Sequence, residues 1–133
     1  SSEGLRMPFD IGVRYTRDEI HDAVGGGSRV SYPPNRDGVS LCACLTLEAN
    51  PDAPYVILPG RGREIERSAD ILCRRHRDRD KAIPVFIKRN INQWEYVGNF
   101  IVDRDRTSQN EINMHARRAN RTDITRVVYM KQV

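Results

Sequence analysis

Apolar residues in this chain come in short alternating runs joined by polar turns. Val39–Leu47, Tyr55–Leu58, Ile83–Arg89, Trp94–Val102 and Ile124–Met130 alternate with period two, and Phe9–Tyr15 does so more briefly. That period places every second side chain on one face of a strand. Val39–Leu47 reads as the longest core strand, with Leu41, Ala43 and Leu45 on one face and Cys42 and Cys44 on the other. Asn90–Gln93 reads as a hairpin turn between two of the runs. Runs this few and this closely hairpinned do not build a doubly wound sheet.

Helices fall between the runs. Thr16-x-x-Glu19 is a capping box, Ile20, Ala23 and Val24 follow as an apolar stripe, and Gly25-Gly26-Gly27 stops the helix. A second helix is predicted over Ser68–Arg77, with Ala69, Leu72 and Cys73 inward. Ser108-x-x-Glu111 caps a short third one containing Ile112 and Ala116. The fold class that follows is α+β: a small curved mixed β-sheet or partly open barrel with two or three helices packed outside. A chain of 133 residues holds one core. Residues 1–133 therefore read as a single domain, with the polar stretch 103–123 as an insertion.

Charge narrows the function. Of the 22 basic residues 19 are arginine, and they are unevenly placed. Residues 1–60 carry 5 basic and 8 acidic groups, whereas residues 61–133 carry 17 and 10, a net of −3 against +7. Arginine's planar fork suits phosphates and base edges, so the second half points to nucleic acid. No run approaches the roughly 18 or more apolar residues of a membrane span, and no export signal or membrane partner is expected.

Other chemistries find little footing. Cys42, Cys44 and Cys73 form neither a C-x-x-C pair nor a zinc pattern with His21, His76 or His115. They read as reduced thiols of an intracellular protein, in the cytoplasm, nucleoid or nucleus, with no metal and no cofactor. No catalytic residues are assigned: paired carboxylates, a nucleophile elbow and nuclease metal spacings are all missing from the pattern.

The candidate contacts lie on loops and one helix. Arg29 and Tyr32 sit in the glycine- and proline-rich loop Gly25–Gly38, where they would discriminate between ligands. Arg61 and Arg63 flank Gly62 on a turn, and Arg74, Arg75 and His76 lie on the second helix; these read as phosphate contacts. Trp94, Tyr96 and Phe100 share a face in the alternation, and Trp94, near the turn, is the exposed stacking candidate.

Phe9-x-Ile11-Gly12-x-x-Tyr15-x-Arg17-x-x-Ile20-His21 followed by Gly25-Gly26 resembles the opening of the sulfur-binding domains of modification-dependent restriction enzymes and their uncharacterised relatives. Pro59-Gly60-Arg61-Gly62, Asp70-Ile71-Leu72, Pro84-Val85-Phe86 and Tyr96-Val97-Gly98-Asn99-Phe100 continue the likeness, with Arg61 where that family carries an acidic residue. The resemblance implies a scaffold that reads phosphorothioate DNA, with an HNH nuclease domain elsewhere in a longer chain or in a partner. The function expected is a noncatalytic duplex-DNA-binding reader of phosphorothioate or a modified base. The alternatives are an RNA-binding module and a nuclease with an unrecognised active site.

Overall fold

A computed structural model describes residues 9–25, 35–36 and 39–133. Arg29 and Tyr32 lie outside the described residues. The elements run β1 (Arg14–Tyr15), α1 (Arg17–Val24), β2 (Asn35–Arg36), β3 (Val39–Ser40), β4 (Ala43–Leu45), β5 (Val56–Ile57), α2 (Arg63–Arg75), β6 (Ile83–Asn90), β7 (Gln93–Arg106), α3 (Gln109–Ala119) and β8 (Val127–Gln132). The main sheet has the order β4-β6-β7-β8-β5, and β1 also pairs with β7. β4 runs parallel to β6, and the other neighbours are antiparallel. This is the expected small α+β domain with a mixed, incompletely closed sheet and flanking helices.

β7 is the strand around which the sheet is organised. One of its edges pairs with β6 from Gln93 to Phe100. The other is shared, with β1 at Trp94 and Glu95 and β8 from Phe100 to Arg106. Opposite β7, Val85 faces Gly98 while Phe86 faces Tyr96, so Val97 is an extra residue and the strand bulges there. Gly98 takes up the bulge at φ 126. The bulge reverses the alternation. Trp94 and Tyr96 pack with Phe9, Ile20, Cys42, Cys44 and Phe86. Phe100 and Val102 join Ala43, Leu45, Val85, Val128 and Met130 on the other face, under Leu72 and Cys73 of α2. The shared face expected for Trp94, Tyr96 and Phe100 is thereby corrected.

Three further boundaries differ from the expected ones. The run Val39–Leu47 is two short strands, β3 and β4, interrupted at Leu41 and Cys42. In the opening run only Arg14–Tyr15 pairs, Ile11 is 66% exposed, and Phe9 alone turns inward onto Tyr15 and Phe86. α2 begins at Arg63, five residues before the predicted start. Residues 103–123 are built into the fold. They supply the end of β7 and all of α3, whose Ile112 packs with Leu58, Ile124 and Val127.

The Thr16 capping box forms as predicted. The Thr16 hydroxyl accepts from the Glu19 N–H at 3.1 Å, and the Glu19 carboxylate accepts from the Thr16 N–H at 2.9 Å. The buried stripe of α1 is Ile20 with His21, while Ala23 is exposed.

Gly98 is the position where substitution tests this arrangement. Its φ is one that L side chains rarely adopt, and an added Cβ would meet the Gln132 side chain. Gly98→Ala is expected to cost about 1–3 kcal/mol, read as a lower urea midpoint. An unchanged midpoint would mean that the bulge does not hold the two faces in register.

Candidate functional site

A cavity of about 320 Å³ opens where the loops at one end of the sheet meet the first residue of α1. Its walls are Arg17, Cys44 and Thr46, then Ala49 and Asn50, then Leu58, Pro59 and Gly60, then Ile65, Trp94, Arg121 and Asp123. These residues come from seven separate segments, and two polar side chains tie them together.

Asn50 is buried in the turn after β4. Its Oδ1 accepts from the Leu58 N–H at 2.8 Å, and its Nδ2 donates to the Thr46 carbonyl at 3.3 Å. Arg121 is the second tie. One of its guanidinium nitrogens, Nη1, donates to the carbonyls of Ala49 at 2.9 Å and Leu58 at 2.7 Å. Nε and Nη2 grip both oxygens of Asp123 at 2.9 and 3.0 Å. That bidentate pair holds the Asp123 carboxyl below its ordinary range, with the nearby charge of Arg61 adding to the effect. Asp123 is thus an anionic acceptor at the cavity wall at neutral pH.

Gly60 completes this corner by having no side chain. A Cβ there would collide with the Asp123 carboxylate and press on Arg121.

Trp94 forms another wall. It is 7% exposed, so the expectation of an exposed stacking residue is corrected: β1 and α1 cover it. The Arg17 guanidinium lies 5.1 Å from its ring centre and the Lys88 ammonium 5.9 Å. Its indole N–H is buried and has no acceptor among the described residues, which costs about 1–3 kcal/mol when nothing meets it. Arg17 also donates to His21 Nε2 at 3.0 Å. Burial first, and then the Arg17 charge, keep His21 below its ordinary pKa.

The arginines of α2 form the outer part of the site. Arg61, Arg63, Arg74 and Arg75 are exposed, as is Arg67, which sequence reasoning passed over because it placed the helix start at Ser68. With the helix beginning at Arg63, spacings of four and seven residues at 3.6 per turn put Arg63, Arg67 and Arg74 on one outward face. The stripe spans about 16 Å along the axis. Arg74 pairs with Asp70 at 3.0 Å in an exposed contact. Such a pair is worth little and yields easily to a phosphate. Arg75 is turned to the side of this stripe.

His76 does not belong to it. It is 4% exposed, and all four of its polar groups are engaged. Its ring Nε2 accepts from the Ser40 N–H at 2.8 Å, and Nδ1 donates to the Lys81 carbonyl at 2.8 Å. Its own N–H donates to the Leu72 carbonyl, and its carbonyl accepts from the Val102 N–H. His76 is a neutral clamp between α2, β3, β7 and the turn at Lys81, not a phosphate neighbour. Among the described residues no three His, Cys, Asp or Glu side chains converge as metal ligands, and the three cysteines are free and buried. No helix among the described residues is long and apolar enough to cross a membrane.

These bonds make the clamp sensitive to acid. Protonating His76 would aim a second donor at the Ser40 N–H, and burial lowers its pKa from the ordinary 6.5. The unfolded chain binds that proton more readily, so stability should fall as pH drops from about 6.5 through the lowered folded value, with His21 adding in the same sense. Urea midpoints across that window should show the slope, and His76→Gln should flatten it; an unchanged slope would clear His76 of that role. For the cavity corner, Gly60→Ala should cost about 1–3 kcal/mol through overpacking, measured by thermal melting. A variant as stable as the parent would show that Asp123 and Arg121 are not tightly seated on Gly60.

Residues 14–132 match the model of a family described as a domain of unknown function (DUF6697). No curated protein and no solved structure matches the chain.

Proposed function

The chain belongs to the DUF6697 domain family, and for it we propose a noncatalytic module that reads duplex DNA. The observation that carries this reading is the outward stripe of Arg63, Arg67 and Arg74, continued by Arg61 to the mouth of the cavity. A row of guanidinium groups on a rigid helix follows a phosphate backbone and releases counterions, which supplies affinity without sequence preference. Selectivity then needs a second element, and the cavity beside the row is one. The resemblance to sulfur-binding domains supports a modified group, phosphorothioate or a modified base, as the feature read. On this reading the nuclease that acts on the marked DNA is another domain or partner chain, and the module works inside the cell.

The test is fluorescence anisotropy with one labelled sequence as duplex DNA, single-stranded DNA and duplex RNA, each over a range of stated salt. Duplex DNA should bind tightest, with log affinity falling linearly in log salt. Changing Arg63, Arg67 and Arg74 together to alanine should weaken all duplexes alike and reduce the slope by about 0.9 for each phosphate no longer neutralised. A salt-independent affinity, or a clear preference for duplex RNA, would overturn the reading.

A further inference from the structure

We infer that the cavity receives a single cytosine-class base, turned out of the duplex, with room for a methyl group at C5. The inference deepens the reader proposed above and rests on it for its duplex context. Three features of the walls lead to it.

The first is size and polarity. A volume of about 320 Å³ is in the range of small-ligand sites and exceeds what one sulfur or methyl group would need. Leu58, Pro59, Ile65, Ala49 and Trp94 make most of the wall apolar. A neutral ring and an apolar substituent lose little there, whereas a phosphate would lose its solvation.

The second is the placement of hydrogen-bonding groups. Asp123 presents an acceptor that Arg121 and Arg61 hold ionised. Trp94 carries a buried donor with no acceptor among the described residues. An occupant that satisfies both must bring an amino group and a carbonyl at separate positions on a flat ring. Cytosine has them at N4 and O2. Thymine would set its O4 against the carboxylate, acceptor against acceptor, and adenine has no carbonyl for the indole N–H. A carboxylate receiving the cytosine amino group is also an established mode of base readout.

The third is the position of the site. Arg61 stands at the cavity mouth, and the α2 stripe runs on from it. Phosphates flanking an everted nucleotide would lie against that row while the base enters the cavity, the geometry shared by proteins that take a base out of the stack.

Trp94 is the chain's single tryptophan, so its emission, excited at the red edge, reports on this cavity. The probes are 5-methyl-dCMP and dTMP, which carry the same C5 methyl and differ in the C4 amino or carbonyl group. Titration with 5-methyl-dCMP should change Trp94 emission saturably, and dTMP should bind about tenfold more weakly. Asp123→Asn should erase that difference. Since Asp123 also holds Arg121, Ala49→Leu provides a variant that fills the cavity without touching the pair, and it should abolish the response to both nucleotides while the thermal melt stays cooperative. Equal affinity for the two nucleotides, no saturable response, or a response that survives Ala49→Leu would each overturn the inference. The anisotropy measurement separates the two readings. Nucleotide binding without duplex binding would remove the duplex reader and leave the cavity assignment. Duplex binding with a silent Trp94 would remove the cavity assignment and leave the reader.

Discussion

One bulge lets a single strand serve two cores. Without the extra residue at Val97, β7 would present Trp94, Tyr96 and Phe100 to one side and leave the other short of large side chains. With it, the first half of β7 closes the aromatic cluster under α1, and the second half closes the aliphatic core under α2. A sheet buried on both faces can be this small because its longest strand changes sides partway along. The cavity inherits its position from the same event, since Trp94 reaches it from the half of β7 before the bulge.

The second constraint is the way distant loops are bound by satisfied polar groups. Arg121 reaches carbonyls 72 and 63 residues away in sequence, and Asn50 fixes Leu58 from eight residues off. Buried backbone groups need partners, and loops at the end of a sheet lack a ladder to supply them. Lysine could not replace Arg121, because a point charge cannot grip a carboxylate in parallel while also spanning two carbonyls. Much of the site's geometry is therefore carried by residues that would not themselves touch a ligand.

What could be read from the sequence follows from how local each signal is. The Thr16–Glu19 capping box is complete within four residues, and it was legible. So were the hairpin at Asn90–Gln93 and the inward face of Ala69, Leu72 and Cys73. The start of α2 was not: between Arg63 and Arg67 only Ile65 is apolar, while the charged residues there are good helix formers that leave no periodic mark. The bulge was hidden because alternation is read one strand at a time, and its one trace was a glycine inside a strand pattern. His76 sat among arginines and read as exposed; the contact that buries it comes from Ser40, 36 residues earlier. Arg121 and Asp123 fell in a polar stretch with no period at all, and their partners are visible only in three dimensions.

The two outermost strands of the main sheet, β4 and β5, are three and two residues long. A long, flat outer strand offers unpaired amides and carbonyls to any neighbouring chain and invites aggregation. Here the long strands, β6, β7 and β8, are all enclosed, and each exposed rim stops almost as soon as it begins. The domain can thus keep an open sheet, with the loop-lined cavity that openness allows, without offering a template for fibre growth.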